Sequence, residues 1–141
     1  MTQEQKDLLL KDLCARLPYK VKFGYKYIDG LFREKYGIST LTGVRLPYHI
    51  EHHTRCGNEY LKIEKDEIKP YLFPLSSMTE DQKENALPLL NNCDYYIIDG
   101  TIKWLDNCPI TFFDWCNKHH FDYRGLIPMG LAIDATNLNI Y

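Results

Sequence analysis

The sequence predicts an α+β fold: an N-terminal helix, a small antiparallel and SH3-like sheet, then a mainly helical C-terminal part with a hairpin. Three observations carry this. Leucines recur at helical spacing over the first seventeen residues. The stretch "YKVKFGYKY" (19–27) alternates with period two, and helix-start signals return after "YLFPLSS" (71–77).

The first helix starts at a capping box formed by Thr2 and Gln5. Leu9, Leu10, Leu13, Cys14 and Leu17 supply its apolar face, Asp7 and Lys11 an i,i+4 pair on the solvent side, and Pro18 its end. In the following strand Tyr19, Val21, Phe23, Tyr25 and Tyr27 make an aromatic face, opposite a basic one. "GISTLTGVRLPY" (37–48) and "EYLKIEK" (59–65) read as further strands, with residues 49–59 an exposed polar loop. "EIKPYLFPL" (67–75) holds two prolines, which suits an edge or a crossing segment. Thr79 with Gln82 caps a second helix that Pro88 limits. "YYIIDGTIKW" (95–104) closes a hairpin on Asp99-Gly100, with Ile97 facing Ile102 and Tyr95 facing Trp104. A last long helix runs from Thr111 to about His120. Asp122 then caps a short helix over 123–127 that Gly130 stops. The expected organisation is a helix-plus-sheet lobe over 1–75 and a helix, hairpin and helix–corner–helix lobe over 76–141, sharing one compact unit.

Composition bounds the function. With 26% charged and 45% hydrophobic residues, the 141-residue chain is an ordinary globular one. Its 11 tyrosines suit half-buried strands and contact surfaces. Residues 1–69 carry 13 Lys and Arg against 10 Asp and Glu; residues 70–141 carry 4 against 9. That basic excess is small for a nucleic-acid domain. Five cysteines without a CxxC pair point to reduced thiols and a cytoplasmic protein, and neither a signal peptide nor a membrane span is expected.

Several clusters could carry chemistry. "HHFDYRG" (119–125) packs two histidines, an acid, a tyrosine and an arginine together. On a helical wheel His119 and His120 fall at the edges of an apolar arc of about 160° that includes Trp115, Phe112 and Cys116. Core histidines, with Asp122 a cap and Arg124 a surface or carboxylate-pairing residue, are the economical reading. The metal alternative joins Cys116 and His120 to His52 and His53 of "YHIEHHTRC" (48–56), without the fixed ligand spacing of a known finger. No nucleophile elbow, P-loop or HExxH occurs, so no catalytic residue and no cofactor is expected. Lys20, Lys22, Lys26 and Arg33 could follow phosphates beside stacking tyrosines, though alternating lysines also keep a strand face soluble.

Two strings, "KPYLFPLSSMTEDQ" (69–82) and "HHFDYRGLIPMGLAID" (119–134), resemble a family of short proteins carried by phages, prophages and mobile elements of gut Bacteroidetes. The N-terminal leucine helix ending in "LPY" is similar too. The resemblance implies a setting and no activity: a phage-encoded protein that binds and occludes or bridges a host or phage protein, an anti-CRISPR-like inhibitor of host defence included. The residues expected at such a contact are Tyr25, Tyr27, Tyr48, His52 and Arg55. A nucleic-acid-binding accessory protein using the basic strand is the alternative.

Overall fold

Helix α1 (Gln3–Arg16) begins where the capping box places it: the Thr2 hydroxyl accepts from the Gln5 N–H, and the Gln5 amide oxygen accepts from the Thr2 N–H. Leu17–Tyr19 form a 3-10 turn, and Lys20, left-handed at φ 52°, swings the chain into the sheet. The buried stripe of α1 is Leu9, Asp12, Leu13 and Arg16, a spacing of three and four. Cys14 is exposed and Leu10 half-buried, so the wheel sits rotated from the all-leucine face that the sequence presents. Asp7 accepts from Tyr48 (2.6 Å) and Gln3 (3.0 Å).

The structure, a computed structural model, describes residues 1–90, 94–98, 101–106 and 110–141, with backbone alone for the strands at 94–98 and 101–106. Strands β1 (Lys22–Ile28), β2 (Glu34–Arg45), β3 (His49–Thr54), β4 (Gly57–Lys62) and β5 (Lys69–Leu72) are followed by α2 (Glu80–Ala86). Then come β6 (Asp94–Ile98), β7 (Thr101–Asp106), α3 (Ile110–Lys118) and β8 (Ile133–Asp134). The main sheet is six-stranded in the order β4-β3-β2-β1-β5-β8, antiparallel except where β8 lies parallel to β5. Strands β6 and β7 pair separately with Tyr95 against Trp104 and Ile97 against Ile102; the Asp99-Gly100 turn lies outside the described residues.

Three expectations are corrected. The sheet is not a small antiparallel SH3-like one but an open mixed sheet of linear order. Residues 49–59 are not a loop: Ile50 and His52 point inward, a period-two signal that the polar composition hides. And the C-terminal part is not mainly helical. After α3 the chain runs through turns into β8, because Asp122 takes the N–H groups of Leu126 (2.9 Å) and Ile127 (2.7 Å) into a turn too short to nucleate a helix. β5 therefore has neighbours on both sides; Pro70 is tolerated because β5 meets β1 over only two residue pairs.

Among the described residues two apolar clusters form. Leu9 and Leu13 pack with Val21, Phe23, Leu41, Ile50, Ile63 and Leu72 under the sheet. Phe112, Phe121, Tyr123, Leu75 and Ala86 form the other, around α2 and α3. Between them lies a polar knot. Arg16, fully buried, donates to both carboxylate oxygens of buried Asp12 (2.7 and 3.1 Å), to Phe121 O (2.8 Å) and to Cys116 O (3.4 Å). Arg124 reaches the same Asp12 at 3.2 Å, and both guanidinium groups lie over the Tyr123 ring.

Candidate functional site

β2 is twelve residues long, and β3 pairs with it only from Leu41 onward. The β1–β2 hairpin therefore projects past the end of the β3–β4 hairpin. Where the two part, a cleft of ≈ 640 Å³ opens between Tyr25 and Ser39 on one side and His52, His53, Thr54 and Arg55 on the other.

His52 is the centre of this cleft's wall. It is 1% exposed and meets the Tyr25 ring edge-on at 5.1 Å and Phe23 at 5.9 Å. Its Nδ1 lies 2.9 Å from Ser39 Oγ; its Nε2 has no hydrogen-bond partner and faces Glu59 Oε2 at 3.8 Å. Burial lowers the His52 pKa against the opposing pull of Glu59. Burial likewise raises that of Tyr25, aided by Tyr27 and Glu59. Burial thus favours the uncharged forms of His52 and Tyr25, and exposed Arg55 stands at the mouth of the cleft with Glu59 behind it. Tyr25 is held flat because Gly37 sits opposite it in the register; an added Cβ at Gly37 would stand 2.7 Å from the ring. A Ser–His–Glu line resembles a relay, yet 3.8 Å is too long for a hydrogen bond.

Beyond the cleft the β1–β2 turn is built by Asp29. Its Oδ1 accepts from the N–H groups of Leu31 (2.8 Å) and Arg33 (3.0 Å), and its Oδ2 meets Arg33 and Lys35 at 3.1 Å. These bonds, the backbone ones first, hold the Asp29 carboxyl below its usual pKa. The turn so fixed displays Leu31 at 69% and Phe32 at 93% exposure, Phe32 in the left-handed region at φ 58°.

A scan against protein-family models finds no match, and searches of the curated proteins and of the solved structures find none either. The residues themselves therefore carry the assignment.

Of the expected contact residues, Tyr25, His52 and Arg55 meet at the cleft, and Tyr27 lies against Tyr25 at 5.7 Å. Tyr48 does not join them; its hydroxyl is tied to Asp7 on α1. The basic residues are largely engaged. Lys22 Nζ donates to Ile140 O (2.6 Å), Lys26 bridges Glu34 (2.8 Å) and Glu67 (3.4 Å), and Arg33 folds back on Asp29. Lys20 sits in the turn before β1. His52 and His53 are brought together, but Cys116 and His120 belong to the α3 region; among the described residues no three His, Cys, Asp or Glu side chains converge on a metal position. His119 packs against Trp115 with tilted rings (4.4 Å), and His120 stacks on Tyr141 (4.0 Å). Asp122 caps a turn and Arg124 faces the Asp12 carboxylate, while the buried His120 Nδ1 and Arg124 Nε have no hydrogen-bond partner. Sequence reasoning missed Ser39, Glu59, Leu31 and Phe32. Only the alternation in "HIEHHT" (49–54) could have placed His52 indoors.

Proposed function

We propose that this is a non-enzymatic, cytoplasmic binding protein of phage or mobile-element origin that occludes or bridges a host or phage protein, anti-CRISPR-like inhibition of host defence included. One observation carries it: a turn pinned by Asp29 that holds Phe32 at 93% exposure, beside an aromatic cleft with a cation at its mouth. Rigid exposed aromatics next to a pre-formed pocket are the features of interface anchors, since little side-chain freedom is left to lose on binding.

The resemblance at 69–82 and 119–134 supplies the setting rather than the contact. Those two strings hydrogen-bond to each other: Phe73 N–H donates to His120 O (2.9 Å), Asp122 N–H to Phe73 O (2.8 Å), and Tyr71 pairs with Ile133. Shared residues there speak for a shared scaffold. The engaged state of Lys22, Lys26 and Arg33 leaves less support for a phosphate-binding strand.

The test is capture of the tagged protein from host lysate with and without nuclease, alongside Phe32→Ser and Arg55→Glu. A near-stoichiometric host protein that both variants lose supports the reading. Recovery only of nucleic-acid proteins that vanish with nuclease refutes it.

A further inference from the structure

The face of the sheet turned away from the Tyr25–His52 cleft carries a cavity of its own. Side chains alternate along β1, so Tyr25 lines the cleft while Gly24 belongs to the opposite face. In the register Gly24 stands between Ile38 of β2 and Lys69 of β5, and its missing side chain leaves a hollow in that row. The hollow opens into a cavity of ≈ 440 Å³, a size typical of small-molecule sites. Tyr36 and Ile38, 72% and 55% exposed, line its β2 side; Tyr71 and Ile133 line the other, with Glu67 and Lys69 completing the wall. An added Cβ at Gly24 would stand 3.3 Å from both the Tyr71 hydroxyl and Ile133 Cδ1.

The polar groups of this cavity lack partners. Tyr71 is 8% exposed, yet its hydroxyl opens on the cavity and makes no hydrogen bond among the described residues; the bond to Tyr141 runs through the Tyr71 carbonyl. A buried phenol ordinarily finds a partner. Lys69 is half-buried and forms no ion pair among the described residues, unlike Lys22, held by Ile140 O, and Lys26, held by Glu34 and Glu67. Glu67 gives Lys26 one oxygen at 3.4 Å, and its other oxygen meets no group among the described residues. Lys69 and Glu67 thus line one cavity, a charge of each sign, without pairing with each other. With Lys26 and Glu34, which pair beside Tyr36, the surround holds two cations and two acids.

We propose that this cavity binds a free aromatic α-amino acid. The ring lies over Gly24 between Tyr36 and Tyr71, where the floor is bare backbone and the walls are aromatic and aliphatic. The carboxylate takes Lys69 and the Tyr71 hydroxyl, and the ammonium takes the unpaired oxygen of Glu67. A ligand with one charge of each sign matches a surround that is itself balanced, which a simple anion or cation does not. A residue inside a polypeptide carries neither terminal charge, which separates this ligand from a protein partner. The cavity and the Tyr25–His52 cleft lie on opposite faces, so the failure of either reading leaves the other standing.

Amide NMR spectra of the isotope-labelled full chain, titrated with L-phenylalanine to about 10 mM, test the proposal. The expected result is a dissociation constant below about 1 mM, with shifts centred on Gly24, Ile38 and Lys69. N-acetylphenylalanine, which lacks the ammonium, and phenylalaninamide, which lacks the carboxylate, should each bind at least about tenfold more weakly. Lys69→Met should remove the preference for phenylalanine over its amide. Glu67→Gln should remove the preference over the N-acetyl compound, and a change in folding alone would produce neither result. Gly24→Ala should weaken phenylalanine binding about tenfold by narrowing the floor. No shift at the highest concentration overturns the proposal, as do shifts centred on Tyr25 and His52, equal affinity for the three compounds, or preferences that both variants keep.

Discussion

Replacing Arg16 by alanine tests the polar knot. Arg16 and Asp12 are both fully buried, and Arg16 supplies two bonds to Asp12 and one each to Phe121 O and Cys116 O. Removing the guanidinium strands a buried carboxylate with only Arg124, at 3.2 Å, to balance it. Breaking a buried ion pair from one side costs about 3–5 kcal/mol. In a chain of this size that lowers Tm by about 10–20 °C. Urea unfolding followed by tryptophan fluorescence gives the free energy directly. The double variant Asp12→Leu/Arg16→Met removes both charges and leaves chiefly two carbonyls to satisfy, so it should cost about 1–3 kcal/mol, less than Arg16→Ala alone. That non-additivity is the decisive readout. A cost below about 1 kcal/mol for Arg16→Ala, or strict additivity of the Asp12 and Arg16 single variants, would refute the account of a desolvated pair joining α1 to α3.

Other residues give further expectations. Burial, then Arg16 and His119, lowers the His120 pKa to about 4. The unfolded chain takes up that proton near pH 6.5, so the contribution is whole above pH 6.5 and lost as pH falls to about 4. It amounts to about 2–3 kcal/mol and should vanish from the urea-monitored pH profile of His120→Asn, which tolerates the left-handed backbone at φ 60°. Gly37→Ala drives a Cβ into the Tyr25 ring and should cost about 1–3 kcal/mol, with displaced Tyr25 ring resonances by NMR; unchanged resonances would contradict the close approach. Phe32→Asn should raise stability by about 0.5–1 kcal/mol, relieving a left-handed backbone that exposed phenylalanine fits poorly, while weakening partner capture. A loss of stability there would show that Phe32 packs within the fold.

Local signals in the sequence were read well at the helix caps and in the hairpin register, whereas Asp7 accepts from Gln3 and Tyr48 and forms no pair with Lys11. The Thr2–Gln5 and Thr79–Gln82 boxes both form, and the Ile97–Ile102 register holds. Asp122 caps backbone N–H groups as its position predicts, though the segment it caps is a turn. What failed depends on partners far along the chain. Arg16 reads as a solvent residue until Asp12, Phe121 O and Cys116 O surround it, and a wheel built on hydropathy rotates it outward. The helical expectation after 120 fails because β5 offers Tyr71 and Leu72 to Ile133 and Asp134, and a two-residue parallel strand has no periodicity to detect. The candidate site was half legible. Tyr25, His52 and Arg55 were named as contact residues, but the cleft that joins them exists only because β2 outruns β3.

The tie made by Tyr141 bears on the order in which the molecule can assemble. Its hydroxyl donates to Tyr71 O (2.8 Å) and accepts from Lys22 N–H (3.0 Å), while its ring stacks on His120, and β8 enters the sheet just before it. The bond to Lys22 spans 119 residues, so one of the sheet's central strands keeps an unsatisfied donor until the far end of the chain arrives. Closing so long a loop is slow relative to forming the β1–β2 or β3–β4 hairpins. During that interval β5 presents a bare edge where β8 will pair, and it is this edge that another chain could seize.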